Sequence, residues 1–594
     1  MHGTSIHGNS RLSAASAEDA IKQADFPVTF AGTVGLYHAA EQSSDTAVLF
    51  VGSWGFEEFC ARKFWRLLAE DLGQQGICSL RFDYPGTGDA LDLKDYSAGL
   101  DIWQQSILSA AAVLRDLSGA KKLLLVGHSI GAAFAWQAAE ALGDVAGIVM
   151  AAPAPSGRRW AREFMALSRI AYQNETINAA ASGPAMGEQR IPDAILTGIR
   201  ALDISKATKA PAPDILVLSR QDRATDADLA DHIATLGTKV RSTPFEGYDL
   251  FIRDVLLSVP PQAMIAEITA WAKGFQGESQ PVCGTVQPET HPLVGDGFTE
   301  TPVRFGEGGR LYGILCEPQG PRRGATVIML STGYDRMSGW GRITTRICRD
   351  IAREGVASLR FDFGNVADSP PHPDAPRQII YNECLVRDVG QAIEFLDARK
   401  LFPVIISGRC SGGHAAFQSG VRFERVDAIV PVNPFDYNIS PDADVEELFK
   451  VSFQPLSSYN DKMRSGGFWK RVLRGEVNVA RGAWNMSRML ASKGFATILP
   501  VLVRFPFLVR GLRAVTRDFE TLVANGTQVS LIYSKDDFGI PNLETRFGKQ
   551  GYLLNRYSNT RIVFLSDTDH NLTTAPAREY WQGELQKMAF RFKP

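Results

Sequence analysis

The sequence has few cysteines, little net charge and no long uncharged apolar run. Its seven cysteines are scattered over 594 residues and none is spaced as Cys-x-x-Cys, which argues against disulfides and structural zinc and favours a reducing compartment. A formal net charge of −2 gives no general attraction to nucleic acid or anionic membranes. No apolar run reaches the roughly 18 residues that a membrane span needs. These absences favour a cytoplasmic enzyme.

Composition and length indicate a well-packed protein of more than one domain. Hydrophobic residues make up 45% of the chain and charged residues 22%. A chain of 594 residues exceeds an ordinary single domain. Residues 1–25 are polar and lack the apolar core of a secretory signal, so we expect a flexible N-terminus.

An internal repeat predicts the fold. The segment GICSLRFDYPGTGDA (76–90) returns as GVASLRFDFGNVADS (355–369). In both copies an apolar run with a Gly-containing loop comes before the segment, and a short strand, a tight Gly-flanked turn and a helix come after it. Short apolar strands that alternate with helices are typical of parallel sheets covered on both faces. The sequence therefore predicts two tandem α/β domains, each with a mostly parallel sheet.

The domain boundaries are predicted from composition. We predict a first domain at 26–273 and a second at 298–594, because the stretch 274–297 is rich in Gly, Pro and polar residues and has no apolar period. After the Gly-flanked turn, the second domain is longer than the first. This extra length predicts a helical lid at about 438–525.

The predicted lid is basic. From Lys462 to Arg517 it contains 12 Lys and Arg residues and one acidic residue, Glu476. Three interpretations stay open: a solvated helix face, a site for an anionic substrate such as a sugar or polyprenyl phosphate, and peripheral membrane contact through the apolar, Arg-containing stretch 496–513.

Each half contains the pattern of a nucleophile elbow. GHSIGA places Ser129 between two glycines, and GRCSGG does the same for Cys410. A nucleophile on such a strained turn needs small neighbours two residues away, and the next N–H then points at the developing oxyanion. Ser411 is a poorer nucleophile candidate, because Arg409 would be its neighbour two residues before.

The second half also has an acid and a histidine in the right order. VSLIYSKDD (529–537) is an apolar strand that ends in acids, and RIVFLSDTDHN (561–571) is a strand followed by His570. The order nucleophile, acid, histidine matches that of α/β-hydrolases. We predict a triad of Cys410, His570 and Asp537, with Asp536 as the lesser acid candidate.

The first half lacks the histidine. DILVLSRQD ends at Asp222, but the next strand leads to FEGYDLFIRDVLL (245–257), where Leu250 or Leu256 stands in place of His. Without a base a serine hydroxyl is a poor nucleophile, so we predict a degenerate first domain. The alternative keeps Ser129 active with a base supplied from elsewhere in this half; the candidates are Glu57, Glu58, His38, His128 and His232.

Both halves resemble α/β-hydrolases. More narrowly, GSWGFEE, RFDYPGTGD and GHSIGA, together with STGYDRMSGWGR, SLRFDFGNVADS, GRCSGG and WKRVLRGEV, are similar to hydrolases of bacterial exopolysaccharide and exosortase loci that are often labelled serine-aminopeptidase-like. The Gly-x-Cys-Ser-Gly elbow recurs in that group. The resemblance implies that Cys410 is a working nucleophile and that the context is polysaccharide or related biosynthesis.

A cysteine nucleophile predicts acyl chemistry. A thiolate paired with histidine attacks an activated acyl carbon and forms a thioester, which water, amines or sugar hydroxyls can cleave. We therefore expect an esterase, thioesterase or acyltransferase acting on a small acyl substrate, with oxyanion donors at Ser411 and at Gly333 or Tyr334. The non-enzymatic alternative is an assembly factor with two vestigial elbows. We expect no cofactor, since the sequence has no metal cluster or dinucleotide fingerprint.

Overall fold

The structure is a computed structural model, and two open sheets dominate it. The residues it describes are 25–40, 44–171, 185–186, 189–253, 255–277, 288–376, 378–439 and 512–594. Within these ranges, one sheet of eight strands belongs to the first half and one of nine strands to the second. Most neighbouring strands run parallel, which confirms the predicted fold class.

The first sheet has the order β1-β2-β4-β3-β5-β6-β9-β10, with antiparallel pairing confined to β1, β2 and β4. A short hairpin, β7 and β8, lies apart from it. The strands are β1 (Asp25–Phe30), β2 (Thr33–His38), β3 (Thr46–Val51), β4 (Cys78–Phe82), β5 (Lys122–His128), β6 (Val145–Ala151), β7 (Ala185–Met186), β8 (Gln189–Arg190), β9 (Asp214–Ser219) and β10 (Lys239–Pro244). The helices are α1 (Phe56–Gln74), α2 (Asp101–Ser118), α3 (Ile130–Leu142), α4 (Gly157–Ala171), α5 (Asp193–Ala201), α6 (Ala224–Thr235), α7 (Tyr248–Phe251) and α8 (Gln262–Lys273).

The second sheet repeats this arrangement in the order β11-β12-β13-β15-β14-β16-β17-β18-β19. The strands are β11 (Leu293–Val294), β12 (Phe298–Phe305), β13 (Leu311–Pro318), β14 (Thr326–Leu330), β15 (Ser358–Phe361), β16 (Val404–Arg409), β17 (Ala428–Val432), β18 (Gln528–Ser534) and β19 (Thr560–Leu565). The helices are α9 (Ile343–Arg353), α10 (Glu383–Ala398), α11 (Ser411–Arg422), α12 (Leu512–Ala524), α13 (Ile540–Phe547) and α14 (Ala575–Ala589).

Both faces of each sheet are buried. Along β3, Val48 and Phe50 pack into one apolar cluster while Leu49 packs into another. Along β14, Val327 and Ile328 divide in the same way between two clusters. Successive strand residues point to opposite faces, so the continuous apolar runs of the sequence reflect sheets covered on both sides.

The two halves are joined by a reciprocal exchange of buried charges. Arg81 Nε donates to Asp368 Oδ1 at 2.7 Å, and Arg360 Nε donates to Asp89 Oδ1 at 3.0 Å. None of these four residues is more than 1% exposed. Each arginine lies in one copy of the repeated segment and binds the aspartate next to the end of the other copy, Asp368 or Asp89. The contact is therefore pseudo-symmetric, as in an isologous dimer interface.

Further ion pairs extend this interface. Arg62 Nε donates to Asp368 Oδ2 at 2.6 Å, and both terminal nitrogens of Arg336 donate to Asp83 at 2.9 Å. Burial alone would raise the pKa of Asp368, but Arg62, Arg81 and Arg336 lower it below its usual value. Buried charges are tolerated when they are paired in this way.

Two predicted segments fall partly outside the described residues. Residues 1–24 of the predicted flexible N-terminus lie outside them, and β1 begins at Asp25. Of the predicted linker, 278–287 lies outside, whereas β11 within the same stretch pairs with β12. The domain limits themselves stay a prediction.

The predicted lid lies mostly outside the described residues, which resume at 512. There α12 places Val515, Phe519 and Leu522 in the core of the second half. Among the described helices, none is long and apolar enough to cross a membrane.

Candidate active site

Cys410 lies on a sharp turn between β16 and α11. Its backbone has φ 55° and ψ −118°, a left-handed region that costs energy for a residue with a side chain. Its glycine neighbours have no room for a side chain, as the elbow pattern predicts: a Cβ at Gly408 would lie 2.7 Å from the Gly412 carbonyl carbon, and one at Gly412 would lie 2.5 Å from Ser331 O. The turn therefore depends on both glycines.

His570 and Asp537 meet at the same edge of the sheet. Asp537 follows β18 and His570 follows β19, and the Nδ1 of His570 lies 2.6 Å from Oδ2 of Asp537. The other oxygen, Oδ1, accepts from the Gly539 N–H at 2.8 Å. Asp537 is 5% exposed, whereas Asp536 is exposed to solvent. Of the two acid candidates, the structure brings Asp537 to the histidine.

The imidazole of His570 also interacts with Cys410. Burial disfavours its charged form, but the Asp537 carboxylate and the Cys410 sulfur outweigh burial and raise the pKa of His570 to about 9. The ring of Phe538 lies over the imidazole, with centroids 4.0 Å apart. The structure therefore brings the three predicted residues together, in the order that a nucleophile, a base and an orienting acid would require.

The oxyanion candidates separate into two kinds. Ser411 is the first residue of α11, so its N–H has no acceptor within the helix and lies at the positive end of the helix dipole. The N–H of Gly333 instead donates to Oγ of Ser411 at 2.6 Å. This hydrogen bond connects the loop after β14 to the elbow, and the choice between Gly333 and Tyr334 as the second donor stays a prediction.

Sequence reasoning missed Tyr381. It lies before α10 with φ 63°, and its buried ring packs on His414 and Phe435 in the cluster that surrounds Cys410. Burial and the nearby Cys410 raise the pKa of its hydroxyl well above the usual value. A tyrosine in an unspecific loop sequence gives no motif from which this position could be predicted.

Arg409, the residue before Cys410, also forms contacts that connect the elbow to two neighbouring loops. Its guanidinium donates to Oδ1 of Asn571 at 2.6 Å and lies 3.5 Å from Asp335. It thereby connects the elbow to the residue after His570 and to the loop after β14.

The elbow of the first half has the same backbone but different partners. Ser129 has φ 53° and ψ −120° at the start of α3. Asp222 turns away from it, since both carboxylate oxygens accept from Arg220 and its side chain is 66% exposed. Pro244 is paired with Ser219 as Leu565 is with Ser534, but none of the described residues between β10 and Gly277 is a histidine.

The alternative bases of the first half have other contacts. Glu57 accepts from Ser53 Oγ at 2.6 Å, and Glu58 accepts from Ser53 N–H at 3.1 Å. The imidazole of His38 lies 3.0 Å from Asp25, and that of His232 lies 3.0 Å from Ala207 O.

His128 is enclosed in the core of the first half. It is fully buried and packs against the rings of Trp65, Tyr248 and Phe251. Burial lowers its pKa to about 4 and keeps the imidazole neutral. Among the described residues, Ser129 therefore has no assembled triad of the kind found at Cys410.

Comparisons with known proteins agree with this architecture. Residues 47–277 match the alpha/beta hydrolase family, and these residues belong to the half in which no triad is assembled among the described residues. No curated protein matches the chain.

Three solved structures show a distant similarity to parts of the chain. They are Est1E from Butyrivibrio proteoclasticus with ferulic acid bound (14% identity, TM-score 0.30, 42% of this chain and 97% of that one), esterase PF2001 from Pyrococcus furiosus (16%, 0.32, 50% and 92%) and an acetyl xylan esterase from Paenibacillus sp. R4 (15%, 0.29, 51% and 90%). Residues 47–277 are therefore similar to alpha/beta hydrolases, and both halves have mostly parallel sheets of an α/β fold.

Proposed function

We propose that the chain is an acyl hydrolase or acyltransferase whose working site is Cys410, His570 and Asp537. The observation that carries this proposal is the position of His570, whose imidazole lies 2.6 Å from the buried Asp537 carboxylate and interacts with the thiol on the strained elbow. A nucleophile, a base and an orienting acid in this arrangement perform acyl transfer on many folds.

The first step forms a thioester. The Cys410 thiolate attacks the carbonyl carbon of an activated ester, lactone or thioester, and the negative charge moves to the carbonyl oxygen. The N–H groups of Ser411 and of Gly333 or Tyr334 stabilise this oxyanion. When the tetrahedral intermediate collapses, the imidazolium of His570 gives its proton to the leaving group.

The second step releases the acyl group. Neutral His570 takes a proton from water, or from the hydroxyl or amine of an acceptor, which attacks the thioester carbon. The thiolate of Cys410 leaves and the imidazolium is restored. Asp537 keeps Nδ1 protonated and stabilises the imidazolium throughout.

The first half acts in this proposal as a scaffold, a partner surface or a regulator. The buried ion pairs across the interface support a structural role. The resemblance in sequence to hydrolases of exopolysaccharide loci and the basic composition of residues 462–517 favour an anionic or sugar-linked acyl substrate.

The test is intact-mass spectrometry after brief exposure to 4-nitrophenyl acetate. Wild type is expected to gain one acetyl group, as is Ser129→Ala, whereas Cys410→Ala and His570→Ala gain none. An adduct that survives Cys410→Ala and disappears in Ser129→Ala would move the working site to the first half. The absence of any adduct in wild type, also with acyl thioesters, would favour the assembly-factor alternative.

A further inference from the structure

Leu256 belongs to the first half of the chain but lies at the nucleophile of the second. It is the middle residue of the 3₁₀ turn Val255–Leu257. Its side chain packs against the apolar cluster of Ile380, Tyr381, Cys410 and Phe435. Phe538, Tyr334 and Ile439 complete this cluster from the second half.

The loop that holds the predicted oxyanion donors is shaped to receive Leu256. A Cβ added at Gly333 would lie 2.3 Å from Cδ2 of Leu256, which is closer than real Cβ contacts allow. Gly333 also has φ 55°, a conformation that favours glycine. Leu256 and the backbone beside Tyr334 are therefore in direct contact.

The segment that carries Leu256 is held by the first half. The Cys60 thiol of α1 donates to Arg253 O at 3.1 Å, and the Ser258 hydroxyl donates to Phe251 O at 2.7 Å. Val255 packs on the main apolar cluster of the first half. A side chain held in this way has a defined position at the neighbouring site.

We infer that Leu256 is a wall of the acyl-binding pocket at Cys410 and limits the length of the acyl chain. The inference rests on the proposed acyl chemistry. Apolar side chains that surround a nucleophile bind the apolar part of an acyl group, and their size decides which chains fit. The first half would thus take part in catalysis by setting specificity, although its own elbow has no assembled triad among the described residues.

The first experiment compares Leu256→Ala with Leu257→Ala, a matched control on the same turn. Turnover is measured with 4-nitrophenyl esters from acetate to decanoate. Leu256→Ala is expected to raise the octanoate-to-acetate ratio of kcat/KM by about tenfold, a typical effect of a few methylene groups in an apolar pocket. Leu256→Trp is expected to lower the same ratio, and Leu257→Ala to leave it unchanged. An unchanged ratio in both Leu256 variants would overturn the inference.

The second experiment separates this inference from the proposed function. The rate at which Cys410 reacts with N-methylmaleimide and N-octylmaleimide is followed by mass spectrometry, which needs no turnover. If the ratio of the N-octylmaleimide rate to the N-methylmaleimide rate rises in Leu256→Ala and falls in Leu256→Trp, Leu256 forms a wall of the pocket. This conclusion holds even if no ester is cleaved and the proposed function is wrong. Ester turnover with unchanged ratios in both experiments would instead keep the proposed function and reject Leu256. Melting temperatures identify a variant that is misfolded, in which case the other Leu256 variant decides.

Discussion

The two elbows have almost the same backbone and very different surroundings. Ser129 and Cys410 differ by 2° in both φ and ψ, with values of 53° and −120° against 55° and −118°. In the second half, residues after β18 and β19 converge on the nucleophile. In the first half, the corresponding Asp222 pairs with Arg220 at the surface.

This difference shows that a strained elbow can be present without an acid and a histidine assembled beside it among the described residues. The turn at Ser129 is kept because Gly131 fits against the end of β3, where a Cβ would lie 2.3 Å from Val51 O. Packing of the helix on the sheet therefore preserves the turn in both halves. We expect that catalysis at such a turn depends on the side chains that follow the last two strands of the sheet, which are β9 and β10 in the first half and β18 and β19 in the second.

The largest expected effect is the difference in activity between variants of Asp537 and of Asp222, the acids that follow the corresponding strands β18 and β9. Asp537→Ala should lower kcat/KM for 4-nitrophenyl acetate on the order of 10⁴-fold, because the imidazole loses the group that orients it. Asp222→Ala should change it by less than about twofold, since that side chain is exposed and paired with Arg220. Steady-state kinetics of both variants check this. A comparable loss of kcat/KM in both variants would show that both halves contribute to catalysis.

The sequence predicted the parts of this site that lie in order along the chain. The repeated segment, the two Gly-flanked turns and the strands before Asp537 and His570 each have a local pattern, and together they predict the fold and the assembly at Cys410.

Contacts between distant segments left no such pattern. Leu256 looked like a residue in the place of a missing histidine, and only the packing of the halves brings it to Cys410. The ion pairs of Arg81 and Arg360 across the interface could not be predicted from the sequence either. The role of a buried arginine in a strand depends on its partner in space and not on its neighbours in sequence.

The next largest effect tests the symmetry of the interface. Asp89→Asn and Asp368→Asn should each lower the free energy of unfolding by about 3–5 kcal/mol, because each removes a buried negative charge that is paired with an arginine of the other half. Asp144→Asn, which removes an exposed pair with Arg115, should cost less than about 1 kcal/mol. Urea unfolding measures all three. If only one of the buried variants is destabilised, the exchange is not symmetric in energy.

The histidines of the two halves should give opposite pH dependence. The pKa of His570 is raised to about 9, so its contribution to stability is present below pH 6.5 and is lost as pH rises through about 9. The pKa of His128 is lowered to about 4, so its contribution is present above pH 6.5 and is lost as pH falls toward 4. Urea unfolding from pH 4 to pH 10 should lose its alkaline slope in His570→Gln and its acid slope in His128→Phe. An acid slope that persists unchanged in His128→Phe would contradict the neutral, buried imidazole.

The smallest effect concerns a thiol placed on the first elbow. In a Cys410→Ala background, Ser129→Cys should keep the strained turn and the start of α3, but no imidazole faces it among the described residues. Its alkylation by iodoacetamide should therefore rise with a midpoint near the ordinary thiol value of about 8.5. Cys410 in the wild type should react faster at pH 7, because the imidazole of His570 interacts with it and can accept its proton. If the introduced thiol reacts at pH 7 as fast as Cys410, the first half holds a base and both elbows are catalytic. If it reacts slowly, the same strained backbone serves only as structure in the first half.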